Sequence, residues 1–331
     1  MKPNFRVLGA GIWGLAFSNY LMNLGHNVEV FCRDTNTCNE KNKNINVKSF
    51  NNLNDYDASD AINIMAVNST GFDAVLKKYK NYFQNSRELI SLTKGIDHGT
   101  GLLFHSLVRE RIGNDVKYGL ISGPSFAKDL TNRKKISVSF ASNDNDLTKF
   151  IVESTKSSYF DMIPISEIHH IEMAGIIKNI AAIICGMSDS FFGKGKHTNT
   201  IIKKASDETW KMSYEALSKD KFEYDDSRDI YDHLNKNKKK IITSPGYVGD
   251  MILTCNQDQS RNYQFGNLIS DMDTSIVEAK NKIGTVEGYD CCITLVEQSS
   301  YAIGKLTKLL YEIIKCENTM REKVLKDFLQ V

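Results

Sequence analysis

The chain has 331 residues, long enough for two domains with a core in each. Hydrophobic residues make up 41% and charged residues 25%, a globular balance. The net charge of +2 gives no electrostatic case for nucleic acid or an anionic membrane, so neither partner is expected.

The elements run in a regular order. Residues 4–8, "NFRVL", predict a strand, "GAGIWG" a turn, and "LAFSNYLMNLG" a helix that stops at Gly25. "NVEVFCRD" predicts the second strand. Residues 35–57 are rich in Asn and Lys with weak periodicity and read as a surface loop. "DAINIMAV" is an apolar strand, "GFDAVLKKYKNYF" a helix, "ELISLTKG" strand and turn, and "GLLFHSLVRERIG" a helix. "KYGLISGPSF" and "KKISVSFAS" are strands, "NDLTKFIVESTKS" a helix, and "YFDMIPIS" a strand. Such alternation argues for a doubly wound, largely parallel sheet. Helices follow at 167–187, 199–218, 249–272, 274–282 and 289–328. The fold class is therefore α/β: a Rossmann-type dinucleotide-binding domain over 1–164, then an all-α substrate domain over 165–331. Residues 218–240 carry dense charge and read as a solvated excursion. No apolar run reaches the roughly 18 residues of a bilayer-spanning helix, and the N-terminus does not read as a signal peptide. The seven cysteines lack CxxC spacing and read as reduced thiols used mainly in packing. The adjacent His169-His170 pair points two ways on a helix, so no metal site is expected.

Gly9-Ala10-Gly11-Ile12-Trp13-Gly14 matches G-x-G-x-x-G between a strand and a helix. Gly9 permits a tight turn, Gly11 a close backbone approach to pyrophosphate, and Gly14 helix–strand contact, while the helix N-terminus faces the phosphates. The bland alternative is an ordinary glycine turn. The second strand ends in Arg33-Asp34. Arg33 suits a ribose 2′-phosphate, which favours NADP(H), and the adjacent acid leaves NAD(H) open. Thr93-Lys94-Gly95 and Ser122-Gly123-Pro124-Ser125 each close a strand, where ligands of open α/β sheets bind. Taken singly, each also reads as a solvated charge or a plain turn. Asp250 and Thr254 share a helix face, and Arg261 with Asn262 offers a fork and an amide suited to phosphate. A capped helix with a surface arginine explains the latter equally well.

Within "IEMAGIIKNIAAIICGM", Lys178 and Asn179 interrupt an apolar helix. The neighbours of Lys178 at ±3 and ±4 are Gly175, Ala174, Ala181 and Ala182, which leave room beside it. Desolvation disfavours a charged amine, which suits proton transfer; the alternative is a lysine that snorkels to water.

In order, the words "GAGIWG", "TKG", "ISGPSFAKD", "KNIAAIICGMSD", "VGDMILTC", "QSRNYQFG" and "KIGTVEGY" resemble those of the bacterial NAD(P)-dependent glycerol-3-phosphate dehydrogenases. The resemblance implies a cytoplasmic enzyme that reduces dihydroxyacetone phosphate to sn-glycerol 3-phosphate with NADPH or NADH, without metal, for glycerophospholipid synthesis. It implies Lys178 as proton donor and acceptor, with Lys94 and Asp250 also catalytic. Lys94, Gly123, Ser125, Lys178, Asp250, Ser260, Arg261 and Asn262 would meet the small phosphorylated substrate. The cofactor would meet Gly9, Gly11, Ile12, Trp13, Gly14, Arg33, Lys94, Ala127, Arg261 and Glu287. A homodimer is compatible with it. Departures are Lys196 at an expected Asn, Lys204-Ala205 for Arg-Gly, the inserted 218–240 segment, and a shortened 35–57 loop. The competing readings are a two-domain hydroxyacid or ketopantoate-type reductase and a catalytically silent NADPH-binding protein.

Overall fold

A computed structural model describes residues 3–36, 38, 45–125, 127–219 and 227–330. Packing divides the chain into two compact units, Met1–Asp97 with Phe104–Ile171, and His98–Leu103 with Glu172–Val331. The division falls inside one continuous helix, Ile168–Phe192.

The first unit is built on eight strands: β1 (Asn4–Leu8), β2 (Asn27–Cys32), β3 (Asn46–Ser49), β4 (Ile62–Met65), β5 (Glu88–Ser91), β6 (Lys117–Ser122), β7 (Ile136–Ser142) and β8 (Phe160–Ile165). Their spatial order is β3-β2-β1-β4-β5-β6-β7-β8, with every pair parallel except the antiparallel β6–β7. The chain winds outward from β1 in both directions, so β1 and β4 flank a switch point. Ligands of open sheets bind beyond the carboxyl ends at such a point. Central strands such as β4 are buried throughout and read as continuous apolar runs, because helices cover both faces.

β3 corrects the expected surface loop over 35–57. Asn46–Ser49 pairs in parallel with Glu29–Cys32, and buried Phe50 and Leu53 anchor the turn that follows. An edge strand with no fully buried residue shows none of the apolar alternation by which strands are recognised. Thr37 and residues 39–44 of that segment lie outside the described residues.

The second unit is helical. The helix Ile168–Phe192 has an 18-residue window of mean hydropathy 1.5, long and apolar enough to cross a bilayer, contrary to expectation. That window is wholly buried inside the protein, which makes it a core helix. The expected single helix over 249–272 is two, Asp250–Cys255 and Arg261–Ile269, because Ser260 caps the second by accepting from the Tyr263 amide. The expected run 289–328 is three: Glu287–Glu297, Lys305–Lys315 and Arg321–Leu329. Glu208, from the helix Thr198–Lys219, starts the middle one by accepting from the amides of Leu306 (2.6 Å) and Thr307 (3.0 Å). That cap comes from 98 residues away, beyond the reach of a local reading. Within 218–240, residues 220–226 lie outside the described residues, whereas Ser227–Ile242 forms a helix that buries Leu234. The segment is thus not wholly a solvated excursion.

Candidate active site

The glycine turn follows β1. Gly9 has φ +125°, and a Cβ there would sit 2.6 Å from the Ala66 carbonyl oxygen. A Cβ on Gly14 would sit 2.2 Å from the Gly9 carbonyl oxygen. Both glycines are required by the protein's own packing. Gly11 differs: its φ of −69° and ψ of 173° suit any residue, and an added Cβ meets no protein atom within 4 Å. Glycine at Gly11 therefore answers to something outside the protein's own packing, as a pyrophosphate drawn against the backbone would require. The helix Ile12–Asn23 starts at Gly11 without a side-chain cap and without an acid in its first turn, which leaves its N–H groups to an anion. Ile12 is exposed and Trp13 half-buried beside this turn, and Arg33 stands exposed just past the end of β2. These residues fit a dinucleotide.

Two further predicted words meet at the ends of β5 and β6. Lys94 Nζ lies 3.4 Å from the Gly123 carbonyl oxygen, and Ser125 Oγ donates to the same oxygen at 3.3 Å. Lys94 is half-buried rather than solvated. A Cβ on Gly123 would come 2.8 Å from Val138 Cα, so close packing against β7 sets that glycine. Ala127 is buried at the start of the helix Ala127–Thr131.

In the helical unit, Lys178 Nζ donates to Asp250 Oδ1 (3.3 Å) and Thr254 Oγ1 (3.2 Å). The Lys178 and Asp250 side chains are 10% and 3% exposed, so the lysine does not snorkel. Thr254 Oγ1 also donates to the Asp250 carbonyl at 2.7 Å, which fixes the acceptor lone pairs toward the amine. Withdrawing such a pair from water costs several kcal/mol per ion before attraction offsets it. Apolar residues would fill the space as well, so stability alone does not account for the pair.

A further polar network centres on Asn179. Asn179 Nδ2 donates to Glu287 Oε2 (3.2 Å), and Asn179 Oδ1 accepts from Asn262 Nδ2 (2.9 Å). Asn262 Oδ1 in turn accepts from the Gly288 amide (2.9 Å). A Cβ on Gly288 would sit 2.5 Å from the Asn179 carbonyl oxygen, which is why glycine follows Glu287. Asn179 thus joins two residues assigned separately to substrate and cofactor. Its signal in the sequence was an amide in an otherwise apolar helix, overshadowed by the lysine beside it. Ser260 is engaged as a helix cap, and Arg261 projects exposed from the first position of that helix. Among the described residues, no group of three or more His, Cys, Asp or Glu side chains is arranged to hold a metal.

A glycine turn at the switch point of a parallel sheet, with a buried lysine–carboxylate pair on a following helical unit, defines a two-domain dinucleotide-dependent dehydrogenase. The family models for the N-terminus and C-terminus of NAD-dependent glycerol-3-phosphate dehydrogenase match residues 4–148 and 167–325. The chain belongs to this family and is an NAD(P)-dependent oxidoreductase acting on a CH–OH group. The glycerol-3-phosphate dehydrogenase (NAD(P)+) of Wigglesworthia glossinidia brevipalpis is 29% identical over 80% of this chain and 76% of its own. That of Malacoplasma penetrans is 28% identical over 86% and 83%. The crystal structure of glycerol-3-phosphate dehydrogenase from Coxiella burnetii shares the fold, with a TM-score of 0.80 at 23% identity over 100% of this chain and 99% of that one. The family match sets aside the hydroxyacid and ketopantoate-type reductases.

Proposed function

We propose that the protein is a cytoplasmic enzyme that reduces the ketone of dihydroxyacetone phosphate to sn-glycerol 3-phosphate, in the service of glycerophospholipid synthesis. The carrying observation is the Lys178 amine, held out of water by Asp250 and Thr254. Reduction of a ketone needs a hydride on carbon and a proton on oxygen. Gly9, Gly11, Ile12, Trp13, Gly14, Arg33, Lys94, Ala127, Arg261 and Glu287 would hold a reduced nicotinamide dinucleotide, which would supply the hydride when bound. Lys178 supplies the proton from Nζ, and its charge and that of Lys94 stabilise the developing alkoxide. Asp250 and Thr254 hold the amine in one rotamer, so little reorganisation is left for the reacting state. Gly123, Ser125, Ser260, Arg261 and Asn262 bind the substrate, with the Arg261 fork on its phosphate. Arg33 and its exposed guanidinium favour the 2′-phosphate of NADP(H) over the bare ribose of NAD(H).

The test is oxidation of NADPH and NADH by dihydroxyacetone phosphate, beside unphosphorylated dihydroxyacetone and ketopantoate. Turnover of the phosphorylated ketone alone supports the reading. Tight NADPH binding with no turnover of any ketone would instead indicate a silent cofactor-binding protein.

A further inference from the structure

The helix Arg261–Ile269 presents Arg261 and Asn262 in its first turn and is nine residues long, too short to hold its shape in water unaided. Contacts along its length seat it. At its start, Asn262 Nδ2 donates to Asn179 Oδ1 at 2.9 Å. At its middle it lies directly on the core helix Ile168–Phe192. A Cβ on Gly266 would run into the Ile183 carbonyl oxygen, and one on Gly186 into the Tyr263 carbonyl oxygen. At its end, Arg321 Nη1 donates to the Ile269 carbonyl (2.9 Å) and to the Thr274 carbonyl (3.2 Å). Arg321 opens the helix Arg321–Leu329 and is only 2% exposed. Its Nε has no hydrogen-bond partner among the described residues. Burial lowers its pKa, and no carboxylate offsets that. Burying a cation without an anion is costly. A neutral amide would satisfy a carbonyl without that cost, as Asn318 does for the Met272 carbonyl at 2.9 Å in the same turn. What the charge adds is attraction to the negative C-terminal pole of the helix.

We infer that Arg321 is a positioning residue for the substrate's phosphate, clamping the far end of the helix that carries Arg261 and Asn262. This rests on reading that helix as the phosphate site. The glycine contact makes the middle of a short rod its fulcrum. Nine residues at a rise of about 1.5 Å each form a rod of about 13 Å. An end released by on the order of 1 Å therefore swings the opposite end by a similar distance, enough to spoil a binding geometry. A guanidinium fork on a phosphate depends on such geometry. The Lys178 amine stands on another helix, held by Asp250 and Thr254, and stays where it is. Loss of the clamp thus weakens the grip on the phosphorylated ketone and spares the proton transfer.

The test is steady-state kinetics of the full chain with NADPH and dihydroxyacetone phosphate, for Arg321→Met, Arg321→Lys and Arg261→Ala beside wild type. Hydrogen exchange of the 261–269 amides accompanies it. Arg321→Met should raise the KM for the ketone at least roughly fivefold, the low end of ordinary coupling between sites. Its kcat should stay within about twofold of wild type, the pattern of lost binding rather than lost chemistry. The 261–269 amides should exchange faster. Arg321→Lys keeps the charge and a donor and should recover most of the affinity. If Arg321→Met does not fold, Arg321→Gln, a neutral donor, carries the same expectation. An unchanged KM, a fall in kcat that matches the fall in kcat/KM, or a lysine variant no better than the neutral one would overturn the inference. If Arg261→Ala leaves the KM unmoved, the phosphate reading of that helix fails and the inference with it, while hydrogen exchange still tells whether Arg321 clamps the helix.

Discussion

Lys178 Nζ lies 3.3 Å from Asp250 Oδ1 with both side chains nearly sealed from water. The two residues are 72 positions apart, on the long core helix and on the short helix Asp250–Cys255. Removal of either partner strands the other's charge. Lys178→Met should lower kcat by roughly 10²- to 10⁴-fold, the scale of a lost general acid. Either single change, Lys178→Met or Asp250→Leu, should destabilise by about 3–5 kcal/mol, whereas the double change should cost less than the sum. Urea unfolding of the four proteins and their steady-state rates check this. A Lys178→Met enzyme with near wild-type kcat removes the proposed proton source.

The glycine turn separates structural from ligand-driven glycine. Gly14→Ala forces a Cβ to 2.2 Å from the Gly9 carbonyl oxygen and should destabilise by about 1–3 kcal/mol through overpacking. Gly11→Ala meets nothing in the protein, so its melting temperature should stay that of wild type. Its dinucleotide KM should nevertheless rise tenfold or more, about 1.4 kcal/mol of binding. Thermal unfolding and NADPH kinetics on both variants decide it. Equal behaviour of the two would contradict the distinct roles.

Asn179 ties Glu287 to Asn262, and Asn262 to the Gly288 amide. Asn179→Ala should cost about 1–3 kcal/mol of transition-state binding, a loss in kcat/KM on the order of 5- to 150-fold. The deficit should include the KM of both substrates, because the amide joins residues assigned to each. A variant that loses only thermal stability would make Asn179 a packing residue.

The first unit carries a pH-dependent cap. Asp144 accepts from the Leu147 amide at 2.7 Å and pairs with Lys117 at 3.0 Å. Burial opposes its ionisation, but the amide and the lysine outweigh it and hold the carboxyl below the usual aspartate value. The depressed folded value means that the unfolded chain binds a proton first as pH falls. The stabilisation is complete above the ordinary aspartate pKa and is lost as pH falls through the folded one. Asp144→Ala should cost about 1 kcal/mol at neutral pH, and the gap to wild type should close in acid. Urea unfolding across that range tests the sign; a gap that widens in acid refutes it.

Most of the sheet was legible in the sequence, because seven of its strands are apolar runs bounded by turn residues. β3 was not, since an edge strand with polar, half-exposed positions carries no period-two signal. Helix ends in the second unit carry no local signal where a distant residue, Glu208, supplies the cap. Lys94 and the Gly123–Ser125 turn were individually ambiguous, and only the pairing of β5 with β6 sets the amine against the Gly123 carbonyl.

By itself, the sequence determined what is local: the strand–turn–helix of the nucleotide motif, the alternation that makes a parallel sheet, and the anomaly of a lysine and an amide in an apolar helix. Those signals are short-range, written in periodicity and in residue types that neighbours must accommodate. Tertiary structure alone decided which groups meet. It brought Asp250 and Thr254 to Lys178 and made Asn179 the link between Asn262 and Glu287. Each of these pairings follows from the burial of helix faces and strand ends against distant partners, and a desolvated polar group is tolerable only where such a partner arrives.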